Sequence, residues 1–120
     1  MYGVKDLVLF YAALADENRL RLIKLMQNGE ICVCHLQEVL QTNQPRISRH
    51  LAYLRKSGLV DARRDGKWTH YKLRKLDQDT QKILSETLSR LKSEPQVKKD
   101  FQRLKQITGC PPRPHGRSPK

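Results

Sequence analysis

The chain is 120 residues long, with 24 lysines and arginines against 12 aspartates and glutamates and a formal net charge of +12. A chain of this length buries enough surface for one hydrophobic core, which excludes a large enzyme with a separate catalytic domain. No run approaches the roughly 18 apolar residues of a membrane span and no secretory signal opens the chain, so we expect an intracellular, cytoplasmic protein without membrane contact.

The first three predicted elements are helices. An apolar stripe with helical spacing opens the chain and consists of Leu7, Phe10, Tyr11 and Leu14. A second helix is predicted over residues 17 to 28, with Asp16 as its N-cap and Gly29 as its stop. The apolar side of a third, shorter helix is formed by Leu36, Val39 and Leu40.

The fourth predicted helix has an apolar face and a basic face. Thr42 is its expected N-cap, and Pro45 falls in the first turn, where the missing amide proton removes no intrahelical hydrogen bond. The inward face is formed by Ile47, Leu51 and Leu54. The outward face carries Arg46, Arg49, His50 and Tyr53. Two short helices with such a second face are typical of a helix-turn-helix, whose second helix enters the major groove of DNA.

Residues 59 to 73 predict a β-hairpin after that helix. Two runs of β-type residues flank Asp65 and Gly66, a pair suited to a two-residue type I′ turn. The basic residues near its tip, which could reach DNA phosphates, are Arg63, Arg64 and Lys67. A hairpin in this place is a wing, so the predicted fold is a mainly α winged helix-turn-helix with a small β-hairpin.

The C-terminal third predicts two more helices and a tail. After Asp77, one helix places Ile83, Thr87, Leu88 and Leu91 on one side and ends at Pro95. Its surplus of apolar surface matches that of the first helix, which predicts a homodimer through the terminal helices. Val97, Phe101 and Leu104 belong to a shorter helix that ends at Gly109. The expected organisation is a DNA-binding and dimerisation domain over residues 1–94, a short helix over 95–109 and a disordered Pro/Arg-rich tail over 110–120.

The positive charge is concentrated on the fourth helix and the wing. Residues 45 to 75 contain ten lysines or arginines and two aspartates. A basic surface of this density fits a polyanionic partner, and with a helix-turn-helix that partner is expected to be double-stranded DNA.

Cys32 and Cys34 precede the fourth helix and have the chemistry of a soft-ion site. Side chains at positions i and i+2 of a regular helix point about 200° apart, so these sulfurs share one ion only if the first turn is open or distorted. Two thiols with no acidic cluster argue against calcium and magnesium. Only His35 is near in sequence as a further donor, so three-coordinate binding fits better than a four-ligand zinc site.

Four segments closely resemble the arsenic-responsive branch of the ArsR/SmtB repressors. They are Asp16-Glu17-Asn18-Arg19-Leu20, Glu30-Ile31-Cys32-Val33-Cys34-His35-Leu36, Gln44-Pro45-Arg46-Ile47-Ser48-Arg49-His50-Leu51 and Asp65-Gly66-Lys67-Trp68-Thr69-His70-Tyr71. The resemblance covers residues 4 to about 110. It implies a homodimeric repressor, not an enzyme, that binds the operator of an arsenic-resistance operon and leaves it when trivalent arsenic or antimony binds the cysteines.

The resemblance also assigns residues to these roles. Cys32 and Cys34 become inducer ligands, and the DNA-reading face becomes Gln44, Arg46, Ser48, Arg49 and His50. The family's best-known arsenic site has an acidic residue after the second cysteine and a third cysteine three positions after it, where this chain has His35 and Gln37. Cys110 is the candidate third ligand, and the alternative is two sulfurs with a solvent or small-thiol ligand.

The expected mechanism links the thiols to the reading helix. Drawing Cys32 and Cys34 onto one ion would deform the helix before Thr42 and loosen the reading helix that it supports. Three alternatives stay open: a winged-helix sensor of another soft ion such as Cd(II), Pb(II) or Zn(II), a dithiol redox protein, and a constitutive nucleic-acid binder. No ligand role is assigned to His35 or His70.

Overall fold

The computed structural model describes residues 3–107, which form six helices and a three-stranded antiparallel sheet. In chain order the elements are α1 (Val4–Leu14), α2 (Glu17–Met26), β1 (Ile31–Cys32), α3 (Val33–Leu40), α4 (Gln44–Lys56), β2 (Val60–Asp65), β3 (Trp68–Leu73), α5 (Gln78–Ser89) and α6 (Pro95–Gln106). The predicted mainly α winged helix-turn-helix is confirmed, with α4 as its second helix and β2–β3 as its wing. In this part of the chain, no helix has both the length and the apolar character needed to span a membrane.

A single hydrophobic core fixes the position of α4. The predicted inward residues of this helix, Ile47, Leu51 and Leu54, are all 0% exposed. The helix packs against α2, α3 and β2. Because truncating one buried leucine to alanine costs about 2–5 kcal/mol, this packing holds α4 in one orientation.

The first helix divides its apolar side chains between two faces. Phe10 is buried in the core, whereas Val4, Val8 and Tyr11 are 80%, 61% and 51% exposed. Tyr11, which the sequence places on one apolar stripe with Phe10, lies on the exposed side of that stripe, because one residue step of about 100° turns it away from Phe10. In the single chain, α1 therefore presents an apolar strip to solvent, defined here as Val4, Val8 and Tyr11.

The N-cap of α2 was predicted correctly. The Asp16 carboxylate accepts a hydrogen bond from the Arg19 backbone N–H at 3.1 Å. The helix ends at Met26, two residues before the predicted end. Gly29 follows with φ +140°, which is the backbone conformation that favours glycine after a helix.

The turn between α3 and α4 differs from the prediction by one residue. Gln41 has a left-handed backbone with φ +54°, and the Thr42 N–H donates to the Gln37 carbonyl at 3.3 Å. Thr42 therefore completes the end of α3. The N-cap of α4 is Asn43, whose side-chain oxygen accepts from the Arg46 N–H at 2.9 Å, so the predicted cap at Thr42 is wrong.

The two-residue strand β1 was not predicted. The sheet order is β1-β3-β2, with Ile31 opposite Tyr71 and Cys32 opposite His70. Directly opposed residues of an antiparallel pair point to the same face, and both Cys32 and His70 are buried. The segment that carries the thiols is therefore hydrogen-bonded to the wing.

The wing turn is one residue later than predicted. Asp65 pairs with Trp68, so the loop consists of Gly66 and Lys67. Gly66 has φ +66°, and within residues 3–107 the only non-glycine residue with positive φ is Gln41. A type I′ turn requires positive φ at both loop residues, whereas a type II′ turn requires it only at the first, where glycine stands here. The predicted type I′ turn at Asp65 and Gly66 is therefore replaced by a II′-like turn.

The last two helices also differ in detail from the prediction. The buried residues of α5 are Thr80, Leu84 and Leu88, whereas the predicted stripe residues Ile83, Thr87 and Leu91 are half-buried. Pro95 does not end α5, which stops at Ser89, but begins α6, where a residue without an N–H is well tolerated. Gly109 and the predicted disordered tail, residues 110–120, lie outside the described residues.

The sixth helix packs on α2 and α3. Asp100 is 1% exposed and accepts hydrogen bonds from the Arg21 Nε and Nη2 at 2.9 and 2.8 Å. The Gln96 amide also donates to Asp100, at 3.0 Å. Arg103 Nη1 donates to the Val39 carbonyl at 3.1 Å, near the end of α3. Through these bonds α6 joins α2 to α3.

Candidate nucleic-acid interface and thiol site

The outward face of α4 presents the predicted DNA-reading residues. Gln44, Arg46, Ser48 and Arg49 are exposed, and the Gln44 amide donates to the Ser48 hydroxyl at 3.0 Å. His50 differs from them because its side chain is only 19% exposed. Four of the five residues thus lie on the first turns of a helix with their polar groups in solvent. A helix with such a face fits the width of a DNA major groove.

The three predicted wing contacts have different environments. Arg63 is half-buried and forms a bidentate ion pair with Glu30, with Nε–Oε2 and Nη2–Oε1 distances of 3.0 and 2.9 Å. The hydrogen bonds from Arg63 lower the pKa of Glu30. Arg64 and Lys67 are exposed, and Arg64 Nε donates to the Gly66 carbonyl at 3.0 Å. Arg64 and Lys67 therefore present charge to solvent, whereas the charge of Arg63 is neutralised within the protein.

Cys32 lies at the junction of β1 and α3. Its backbone is extended, with φ −69° and ψ 143°, and its sulfur accepts a hydrogen bond from the Cys34 N–H at 3.4 Å, so Cys32 is the N-cap of α3. The residue is 4% exposed, and burial raises the pKa of its thiol. Cys34 is half-buried in the first turn. The expected 200° separation does not apply, because Cys32 precedes the helix.

The donor chemistry of this junction fits a soft ion in part. Cys32 and Cys34 carry sulfur atoms two residues apart, and the thiolates of reduced cysteines bind thiophilic ions in preference to hard cations. Among residues 3–107, no group of three or more His, Cys, Asp or Glu side chains could hold a metal ion. A three-coordinate site would therefore need a ligand from elsewhere. Cys110, the predicted third ligand, lies outside the described residues.

Sequence reasoning missed the role of Arg19, which contacts both α1 and α4. Its Nε and Nη2 donate to the carbonyls of Ala13 and Ala12 at 2.8 and 3.0 Å. Its Cζ atom lies 4.1 Å from the centroid of the Tyr53 ring, and its Nη1 lies 3.5 Å from His50 Nδ1. The only sequence signal was the position of Arg19 inside a helix-capping motif. The contacts with His50 and Tyr53 span more than 30 residues and leave no local pattern.

A family model and several characterised proteins are similar to the chain. The model described as "Bacterial regulatory protein, arsR family" matches residues 16–62. The "Arsenical resistance operon repressor" of Escherichia coli (strain K12) is 53% identical over 64 residues, which cover 52% of this chain and 55% of that protein. The protein of the same name from Bacillus subtilis (strain 168) is 37% identical over 79 residues, covering 65% of this chain and 73% of that protein.

One similar protein is named for resistance to a different metal. The "Cadmium resistance transcriptional regulatory protein CadC" of Listeria innocua is 38% identical over 63 residues, covering 52% of this chain and 53% of that protein. The chain spans only about half the length of the Escherichia coli and Listeria proteins.

Solved structures support the same assignment. HlyU from Vibrio cholerae has a TM-score of 0.64 and 30% identity, covering 75% of this chain and 95% of that chain. The homodimeric winged helix-turn-helix DNA-binding domain of Mb0332 from Mycobacterium bovis has a TM-score of 0.63 and 26% identity, covering 76% and 84%. From its sequence and its fold, the chain belongs to the ArsR family of bacterial regulatory proteins.

Proposed function

We propose that the chain is a homodimeric transcriptional repressor that binds operator DNA and releases it when trivalent arsenic binds Cys32 and Cys34. The observation that carries the proposal is the position of Cys32, which pairs with the wing and also caps α3. The names of the Escherichia coli and Bacillus subtilis relatives support arsenic as the inducer. We place the protein in the cytoplasm, where thiols stay reduced. In this proposal it is a regulator and not an enzyme.

DNA binding would use α4 and the tip of the wing. Gln44 and Ser48 can donate to and accept from base edges, whereas Arg46 and Arg49 supply charge for phosphates. Arg64 and Lys67 would contact the backbone beside the groove. The net charge of +12 favours association with DNA of any sequence, so specificity has to come from the few groups on α4.

The apolar strip on α1 supports the homodimer. Val4, Val8 and Tyr11 have positions three or four residues apart, so they form one solvent-facing stripe in the single chain. A second copy related by a two-fold axis would cover this stripe and pair it with itself. The two copies of α4 could then enter successive major grooves, roughly 34 Å apart. The Mycobacterium bovis neighbour, whose winged domain is homodimeric, supports this arrangement.

Coupling between the thiols and DNA would run through Cys32 in two directions. Towards the N-terminus, Cys32 belongs to β1, which pairs with β3 of the wing. Towards the C-terminus it caps α3, and α4 begins four residues after α3 ends. Trivalent arsenic would supply strong bonds to sulfur. A change in the backbone of Cys32 would therefore disturb both DNA-contacting elements, which extends the sequence-based hypothesis, in which only α3 deforms.

Operator release tests the proposal directly. The probe is a fluorescent duplex selected for binding from a random library, and binding is followed by anisotropy during titration with arsenite or antimonite. We expect the parent to dissociate and the double variant Cys32→Ser, Cys34→Ser to stay bound at the same concentrations. A parent that remains bound in saturating arsenite, or a double variant released like the parent, contradicts the proposal.

The third ligand needs its own comparison. Cys110→Ser should weaken the response to arsenite and lower the number of sulfur neighbours seen by X-ray absorption if Cys110 is a ligand. An unchanged sulfur count identifies a solvent or small-thiol ligand in its place.

Cadmium is the second candidate inducer, because the Listeria relative is named for cadmium resistance. Parallel titrations with Cd(II), Pb(II) and Zn(II) separate the two candidates. Release by Cd(II) at concentrations where arsenite has no effect would assign the chain to cadmium sensing and leave the repressor function intact.

A further inference from the structure

The Arg19 guanidinium lies where α1, α2 and α4 meet. On one side it donates to the carbonyls of Ala12 and Ala13, in the last turn of α1. The last carbonyls of a helix have no partner within the helix, and a cation there also interacts favourably with the helix dipole. Arg19 therefore joins the C-terminus of α1 to α2.

On its other side, Arg19 contacts the outward face of α4. The Tyr53 ring lies 4.1 Å from the guanidinium carbon, within the range of a cation–π contact. His50 Nδ1 is 3.5 Å from Arg19 Nη1 and 3.9 Å from the Asp16 carboxylate, which itself caps the helix that carries Arg19. One planar group thus donates hydrogen bonds to α1 and makes a cation–π contact with α4.

These contacts connect α1 and α4, the two helices that have separate roles in the proposed function. The outer face of α1 carries the apolar strip that would form the dimer contact, and α4 is the proposed reading helix. The path from one to the other through Arg19 is short and consists of polar, directional contacts. A lysine could not reproduce it, since an ammonium has neither the planar fork nor the flat face of a guanidinium.

We infer that Arg19 is a positioning residue that sets the orientation of α4 relative to α1, and with it the separation of the two reading helices in the dimer. Its partners Tyr53 and His50 carry this effect to α4, and His50 acts there in addition to its predicted place on the reading face. Arg19 does this without contacting DNA. The inference rests on the proposed repressor function, because a separation of reading helices has meaning only for a DNA-bound dimer.

Half-site spacing provides a readout that a loss of stability does not change. The parent, Arg19→Lys and the control Arg21→Lys are compared on duplexes whose half-sites are separated by the optimal distance or by one base pair more or less. Arg21 is on the same helix as Arg19 but pairs with Asp100 of α6, away from α4. The control therefore loses an equivalent guanidinium without touching the α1–α4 path.

We expect Arg19→Lys to bind the three duplexes with similar affinities, whereas the parent and Arg21→Lys prefer the optimal spacing. The slope of log K against log salt should be unchanged in the uncharged variant Arg19→Gln. A spacing preference that survives in Arg19→Lys overturns the inference. A slope that falls by about 0.9 in Arg19→Gln also overturns it, because that is the change expected when a direct phosphate contact is lost.

Tyr53 gives a second, independent variant. Tyr53→Phe keeps the ring under the guanidinium and should retain the spacing preference, whereas Tyr53→Leu should lose it as Arg19→Lys does. Loss of the spacing preference in both Tyr53 variants, or in neither, contradicts the inference.

Spin labels add a readout without DNA. They are introduced as an unnatural amino acid at Ala52, an exposed residue of α4. The distribution of distances between the labels of the two protomers should broaden in Arg19→Lys. If no duplex binds the parent while the distribution still broadens, the proposed function fails and the positioning role stands.

Discussion

Cys32 faces His70 across the β1–β3 pair, and the sulfur of the same cysteine caps α3 by accepting a hydrogen bond from the Cys34 N–H. The residue therefore has a structural role that is separate from any ligand. A serine hydroxyl at this position can still accept the Cys34 N–H bond, whereas an alanine side chain cannot.

The first prediction follows from this cap. Cys32→Ala should have a lower free energy of unfolding than Cys32→Ser, by roughly 0.5–2 kcal/mol, the usual cost of removing an N-cap acceptor. Urea unfolding followed by circular dichroism measures the difference. Equal stabilities would show that a side-chain acceptor at position 32 does not stabilise α3. The result also decides whether serine is the correct replacement in inducer experiments, since it should remove the ligand and keep the cap.

The second prediction separates the three basic residues of the wing. Arg64→Gln and Lys67→Gln should each reduce the slope of log K against log salt for operator binding by about 0.9, because each removes one phosphate contact. Arg63→Gln should leave the slope unchanged, since its guanidinium already pairs with Glu30. Anisotropy titrations over a range of salt concentrations provide the slopes. A reduced slope in Arg63→Gln would show that Arg63 also contacts a DNA phosphate.

The sequence predicts α4 well because its signals are local. The apolar spacing of Ile47, Leu51 and Leu54 fixes the buried face, and the proline in the first turn fixes the start to within one residue. Thr42 and Asn43 are both good N-caps, so the local rule cannot choose between them. The choice depends on how α3 ends, where the left-handed Gln41 leaves Thr42 bonded to α3.

Only part of the candidate site can be predicted from the sequence. Residue chemistry identifies Cys32 and Cys34 as soft ligands, but a two-residue strand has no periodicity, so β1 and its pairing with His70 leave no local signal. The pairs Arg63–Glu30 and Arg19–Tyr53 join residues more than 30 positions apart. Long side chains of this kind can reach solvent, DNA or another element of the protein. Only the tertiary fold determines which of these partners each side chain contacts.

The third prediction concerns the buried ion pair between α2 and α6. The side chains of Arg21 and Asp100 are 15% and 1% exposed. Removing one partner leaves a charge that is largely shielded from water, so Asp100→Ala should lower the free energy of unfolding by about 3–5 kcal/mol. Asp61→Ala is the control, because the Asp61–Arg74 pair is half exposed at 3.8 Å and should contribute less than about 1 kcal/mol.

A double variant tests the physical reason for that loss. Arg21→Met combined with Asp100→Leu removes both charges and should recover most of the stability lost in Asp100→Ala, since no uncompensated charge remains. A double variant as unstable as Asp100→Ala would show that the pair itself, rather than the desolvated arginine, accounts for the loss. Urea unfolding of all four proteins gives the comparison.

The fourth prediction tests the apolar strip on α1. Val8 is 61% exposed in the single chain, so Val8→Asp should fold with little loss of stability. In a two-fold dimer, the substitution would place two carboxylates at one apolar contact, and Val8→Asp should be monomeric where the parent is dimeric. Sedimentation velocity measures the masses. Ala52→Asp, an exposed site on α4, is the matched control and should stay dimeric. A dimeric Val8→Asp would exclude α1 as the interface.

The fifth prediction is a pH dependence at the start of α5. The Asp77 carboxylate accepts a hydrogen bond from the Thr80 N–H at 3.2 Å, and its bonds to Thr80 lower the pKa of Asp77. Because the folded-state pKa lies below the unfolded-state value of about 4, the ionised cap stabilises the protein above that pH. The contribution is lost as the pH falls through the folded-state pKa.

Asp77→Asn isolates this effect, because an asparagine oxygen can cap the helix and does not titrate in this range. The parent and the variant should differ in free energy of unfolding by a constant amount above about pH 5. Below about pH 4 the difference should shift in favour of Asp77→Asn. Urea unfolding at several pH values measures it. All other carboxylates are shared by the two proteins, so their effects on stability cancel in this comparison. A stability difference that stays constant down to the lowest pH measured would therefore show that the Thr80 bonds do not favour the ionised form of Asp77.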